Sequence, residues 1–194
     1  MLAGLLAIGM SVLLHVSWNL FARHADPRSN FLWWGVGAHL VVLGPWSLWR
    51  LIHDAQWVPT LILAIGTTAI ANACYFVALR GAYRHAPVAL VYPLARSSPL
   101  LIAAWSYLFL NQNFSPLGLA GIAVSVAGLL LLGCTARDGE PRRSLPWALM
   151  AAFCTSVYSL SDKIAVAYLP TFGSQLGMVS ASFLLTFAAL SLLN

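Results

Sequence analysis

Charge is what this chain is short of. Only 8% of its 194 residues are Asp, Glu, Lys or Arg, while 60% are hydrophobic, and the mean hydropathy is +0.82. Soluble domains carry about 25% charged residues. So few charges cannot cover a water-facing surface, which excludes a soluble enzyme or a free-standing binding module. Acids are scarcest: Asp26, Asp54, Asp138 and Glu140 fall in loops, and Asp162 is the only acid inside an apolar run. Cysteine is sparse as well. Cys74, Cys134 and Cys154 lie in or beside apolar runs with no metal-ligand spacing and no extracellular framework, so they read as small packing residues. The chain also lacks HExxH, a GxSxG nucleophile context, and paired intramembrane acids. No cofactor and no metal are expected, and an intramembrane enzyme is the remote alternative. The net charge of +5 does not indicate nucleic acid, because the basic residues are scattered through short loops between apolar runs.

Long apolar runs are what the chain has. They predict an all-α, polytopic membrane helix bundle with spans at 2–22, 31–52, 58–79, 86–109, 116–134, 145–168 and 172–193, each near the ~20 residues that cross a hydrocarbon core. The opening MLAGLLAIGM lacks a basic leader region and continues apolar to Phe21, so it reads as a first span rather than a cleaved signal. Trp33, Trp34, Trp46, Trp49, Trp57 and Trp147 fall near span ends, as an interfacial aromatic belt requires. Loops one, three and five carry Arg23, Arg28, Arg80, Arg84, Arg137, Arg142 and Arg143; the even loops carry only Arg50. That asymmetry puts the odd loops in the cytoplasm and the N-terminus outside.

One stretch departs from a plain span. Ala86 to Pro99, APVALVYPLARSSP, carries Pro87, Pro93 and Pro99 with Arg96 between them. Proline removes a backbone hydrogen bond and clashes with the preceding turn. The freed carbonyls must be satisfied by protein or by a water-filled cavity. A cation at mid-bilayer costs at least about 2.5–3.5 kcal/mol on insertion scales. A broken helix with an embedded arginine therefore points to a substrate pathway.

An internal repeat is visible at an offset of 140: LLHVSWNLFAR (Leu13 to Arg23) lies over FCTSVYSLSDK (Phe153 to Lys163). Trp18 then matches Tyr158, Asn19 matches Ser159 and Arg23 matches Lys163. A five-span unit would invert its second copy, the architecture of many secondary transporters. This reading gives residues 1–134 as a complete five-helix repeat, 135–144 as a basic cytoplasmic loop and 145–194 as a partial second repeat. Three further spans, about 80 residues, would complete that copy.

Several segments carry a family resemblance: HVSWNLFAR, YFVALRGAYRHAPVALVYPLARSSPLL, LNQNFSPLGLAGIAVSVAGLLLL and VYSLSDKIAV. Together they resemble the EamA-like branch of the drug/metabolite transporter superfamily. The resemblance implies a transporter of ten helices in two inverted five-helix repeats. Seen against it, this chain is expected to be truncated after its seventh helix, or completed by a homodimer or by missing helices. A non-transporting assembly component is the alternative function.

Candidate site residues follow from helical spacing. Ser11, His15, Trp18 and Asn19 share one face of the first span, with His15 the one histidine placed deep inside a span. Asn72, Tyr75 and Phe76 share a face of the third span. Tyr92, Arg96 and Pro99 share a face of the fourth, where Ser97 and Ser98 could cap a half-helix. Thr155, Ser159 and Asp162 share a face of the sixth, beside Lys163. A guanidinium suits a carboxylate or phosphate. The expected substrate is therefore a small solute with an anionic group, an amino acid or another carboxylate; the family resemblance implies that it is moved by alternating access, and export is the expected direction. Arg96, Tyr92, Trp18, Asn19 and Tyr75 would bind it; His15 or Asp162 would carry a coupling ion. The alternatives are interhelical hydrogen bonding for the polar stripes, pairing of Asp162 with Lys163, and pairing of Arg96 with Asp162.

Overall fold

Proline sets where most helices begin and two of the breaks between them. The computed structural model describes residues 30–134 and 140–193, with helical residues also at Leu5, Leu6, Gly9, Met10, 12–14 and Ser17. His15, Trp18 and Asn19 of the expected first-span stripe lie outside the described residues, as does Ser11. The described helices are α1 (Phe31–Val42), α2 (Gly44–Asp54), α3 (Pro59–His85), α4 (Val88–Ala95), α5 (Ser98–Leu110), α6 (Pro116–Cys134), α7 (Pro141–Val166) and α8 (Phe172–Leu192). Proline opens α3, α6 and α7 and sits at the first or second position of α2 and α5, where its missing N–H costs nothing. Asn111, in the left-handed region at φ 50°, stops α5.

The 31–52 run is not one straight helix. The α1 and α2 axes meet at 60° across Leu43. Gly44 followed by Pro45 supplies the break, since Pro45 cannot donate to the carbonyl one turn back. The 86–109 run is broken as expected, between α4 and α5 at Arg96 and Ser97. Among the described residues, α3 and α8 are each long and apolar enough to cross a membrane alone, and the α1–α2 pair qualifies if it is one bent span.

The interior is unlike that of a soluble protein. Ser47, Ser144, Ser156, Ser174, Ser180, Ser182, Thr68 and Thr186 are buried, while Leu63, Val41, Phe109 and Leu192 stand more than 70% exposed. Small and hydroxylated residues inside with large apolar ones outside is the pattern of a bundle whose solvent is lipid. No strand occurs among the described residues. The protein is an all-α membrane helix bundle.

Helix α3 is the axis, packing against α7 on one side and α8 on another. Ala78, Leu79, Ala82, Ala148 and Ala151 form a small-residue seam between α3 and α7, joined by Leu90, Val91 and Ala95 of α4. The pair runs antiparallel. Gly81 sits 2.7 Å, measured from an added Cβ, under the Trp147 ring, and Thr68 meets Asp162 further along. At one end the Glu140 N–H donates to the His85 carbonyl at 2.7 Å, which gathers Arg80, Arg84, Arg142 and Arg143 there. At the other end the Gln56 N–H donates to the Tyr168 carbonyl at 3.0 Å. There Arg50 pairs with Asp54 at 2.7 Å, and Asp54 accepts from Thr171 at 2.6 Å.

Candidate functional site

The site is built on the α4–α5 break. Pro93 and Pro99 remove two donors from this segment, and the chain answers locally. The Arg96 N–H donates to the Tyr92 carbonyl at 3.0 Å, and the Ser97 N–H donates to the Leu94 carbonyl at 3.2 Å. The Ser97 hydroxyl also donates to Leu94, at 2.7 Å. Ser97 was expected to cap the second half-helix, but it makes no capping bond with its side chain. Its hydroxyl turns back to the Leu94 carbonyl, which it shares with its own N–H, and Ser98 is buried.

Around Arg96 stand four tyrosines from three helices. Its guanidinium carbon lies 5.3 Å from the centre of the Tyr92 ring. Its charge also reaches the hydroxyls of Tyr75 and Tyr83 on α3 and Tyr158 on α7. Tyr75 and Tyr158 meet edge to face, centroids 6.0 Å apart. All four rings and Arg96 are half-buried. The cluster offers a planar guanidinium fork and phenolic donors in one place, a donor-rich surround for an anionic group.

Tyr75 and Tyr92 were expected there. Tyr83 and Tyr158 were not named as site residues, although Tyr158 is the residue that the 140-residue offset aligns with Trp18. The expected third-span face divides. Asn72 donates to Ser182 at 3.1 Å and Phe76 meets Phe183 at 5.8 Å, both on α8, while Tyr75 turns to α7. Thr155 is buried and donates to its own helix at Ala151.

Asp162 is half-buried and accepts from the Thr68 hydroxyl at 2.7 Å. It forms an ion pair with neither Lys163, which is exposed, nor Arg96; among the described residues the ion pairs are Arg50–Asp54 and Arg143–Glu140. Thr68 is two turns of α3 from Tyr75, about 10 Å along the axis. The charges of both Arg96 and Asp162 act on Tyr158. Thr68 was missed in the sequence because nothing in it shows which α3 turn faces Asp162.

A separate groove of about 530 Å³ runs between α3, α5 and α7, lined by Leu63, Thr67, Trp105, Phe109, Phe153 and Leu160 among others. It is apolar and includes none of the charged or tyrosine residues of the site. No group of three His, Cys, Asp or Glu side chains gathers to hold a metal among the described residues.

No curated protein and no solved structure matches the chain. A family does. The EamA-like transporter family matches residues 2–134, more than half of the sequence and all of the stretch that supplies Tyr75, Tyr83, Tyr92 and Arg96. With its lipid-facing apolar exterior and its family of small-solute carriers rather than enzymes, this chain belongs to the EamA-like transporter family.

Proposed function

We propose that this protein moves a small carboxylate-bearing solute, an amino acid or another organic acid, outward across the cytoplasmic membrane by alternating access. Arg96 at the α4–α5 break holds the carboxylate. Tyr92 and Tyr75 shape the pocket with Trp18 and Asn19, and Tyr83 and Tyr158 complete the donor set. The observation that carries this reading is the half-buried guanidinium at a helix break, ringed by phenols from α3, α4 and α7. A transporter of hydrophobic cations needs a carboxylate in that place, and Asp162, one turn of α7 beyond Tyr158, is bonded to Thr68 instead.

The odd-numbered loops face the cytoplasm in this proposal. Two features support it: the arginine asymmetry, and the gathering of Arg80, Arg84, Arg142 and Arg143 at the end where His85 meets Glu140.

The test is flux in proteoliposomes with a panel of amino acids and organic acids, with and without a pH gradient. Saturable movement of at least one carboxylate is expected; movement of organic cations only would overturn the reading. Asp162 is the coupling residue of the proposal. Asp162→Asn is expected to abolish stimulation of flux by a pH gradient while leaving solute exchange within about twofold of wild type. Equal loss of gradient-driven flux and exchange would assign Asp162 a structural role instead.

A further inference from the structure

His39 is a histidine inside a span that helical spacing alone does not single out. It lies well inside the 31–52 span, one turn before the α1–α2 break. An ionisable side chain at such a depth is expensive unless it has a use. Its ring packs edge-on against Phe183 of α8, centroids 4.8 Å apart. Its Nε2 lies 3.0 Å from the Ser180 hydroxyl. Ser180 lies 2.7 Å from the Ser47 hydroxyl, and Ser47 reaches the Gly44 carbonyl at 3.2 Å. Ser47 and Ser180 are fully buried. The row therefore runs from His39 on α1, through α8, to the first residue of α2, across the break itself.

We infer that His39, Ser180 and Ser47 form a proton-binding site at the α1–α2 break, separate from the Arg96 cluster. The hydroxyl row accepts both the imidazolium and the neutral Nδ1–H tautomer, whose Nε2 is bare. With Nε2 protonated, His39 donates to Ser180, Ser180 donates to Ser47, and Ser47 donates to the Gly44 carbonyl. With Nε2 bare, Ser47 turns from Gly44 to Ser180, and Ser180 donates to His39. No buried hydroxyl loses its partner in either state, so gaining or losing the proton leaves no orphaned polar group in the row. What changes is one bond, from Ser47 to the Gly44 carbonyl beside Pro45, where the helix is already broken. Proton binding is thereby tied to the geometry of the bend.

Among the described residues, the elements packed on α1 bring few other ionisable groups near His39. His39 is the sole one in Phe31–Val42, and Phe172–Leu192 has none. On α2, Arg50 lies one turn beyond Ser47 and is paired with Asp54, and His53 lies a further turn along. From α3 the group nearest this level is Phe76, against Phe183; the ionisable Tyr75 beside it faces Tyr158 on α7.

The test is a titration by ¹⁵N NMR of the full chain in lipid nanodiscs, with histidine labelled in the ring and protons as the probe. The His39 signal is the one missing in His39→Gln. It is expected to pass from neutral to imidazolium in a titration that starts near pH 8 and runs to the acid side of pH 5, an ordinary histidine changing charge between about pH 8 and pH 5. Ser180→Ala is expected to displace the midpoint by about half a unit or more, since it removes a bond whose strength depends on the ring's state. Should Ser180→Ala not fold, Ser47→Ala is read in the same way. A ring fixed in one state across the range would overturn the proposal, as would a midpoint that neither serine variant moves. Arg96→Ala should leave the titration in place, so loss of solute binding and loss of this site are read separately.

Discussion

Replacing Arg96 by alanine is expected to lower carboxylate flux about 100-fold or more while the protein still inserts and folds. Truncating one partner of a desolvated charge pair typically costs 2–5 kcal/mol, and 2.7 kcal/mol is about a factor of 100. The stability side runs the other way. Placing a guanidinium in a span costs about 2.5–3.5 kcal/mol on insertion scales, so alanine relieves the bundle of that cost. The contact with Tyr92, 5.3 Å from guanidinium to ring, is worth about 0.5–2 kcal/mol and offsets only part of it. Arg96→Lys keeps the charge but loses the planar fork, and should retain flux within about tenfold below wild type. Flux and unfolding measured together on the three proteins check this. An Arg96→Ala protein that transports normally contradicts the role; one that fails to fold assigns Arg96 to structure.

The second large effect belongs to Gly177. It lies in α8 against α2, where an added Cβ would run into the Ser47 carbonyl oxygen and come within 2.6 Å of the Leu51 Cβ. One turn earlier Gly173 lies against Arg50, with an added Cβ 2.8 Å from its Cγ. The two glycines form a G-x-x-x-G stripe that lets the helix backbones approach closely. Alanine is the better helix former by about 1 kcal/mol. Here its methyl meets backbone, which cannot swing aside as a side chain can. Gly177→Ala is therefore expected to lower stability by about 2 kcal/mol. Gly177→Leu should yield no monodisperse protein, since parting α2 from α8 also breaks the Ser47–Ser180 and Asp54–Thr171 bonds. Gly66→Ala is the control: an added Cβ there meets nothing within 4 Å, and the variant should be as stable as wild type or more so. Reversible unfolding in mixed micelles compares Gly177→Ala and Gly66→Ala with wild type, and size-exclusion chromatography reads Gly177→Leu. A Gly177→Ala protein as stable as wild type would contradict the packing.

The membrane bundle was legible because composition alone excludes a water-facing surface, and the buried hydroxyls with exposed Leu and Phe side chains follow from it. The α4–α5 break was legible because proline acts on its own helix. Arg96 and Tyr92 were found for the same reason, being one turn apart on one segment. Tyr83 and Tyr158 were harder: they join Arg96 only through the antiparallel pairing of α3 with α7, and span spacing does not specify partners. The same gap hid Thr68 beside Asp162. Two features carried a local signal that was not used. Gly44–Pro45 marks a break in the 31–52 run, which places His39 beside it. Gly173 and Gly177 mark a close helix crossing.

The central claim is that a carboxylate is what the Arg96 cluster recognises. The most direct test compares each transported acid with its neutral amide in the same wild-type proteoliposomes. The two differ in little but the charge that a guanidinium reads. The acid is expected to move at least about 100-fold faster than the amide, and the amide should not compete with it. Equal transport of acid and amide would contradict the account.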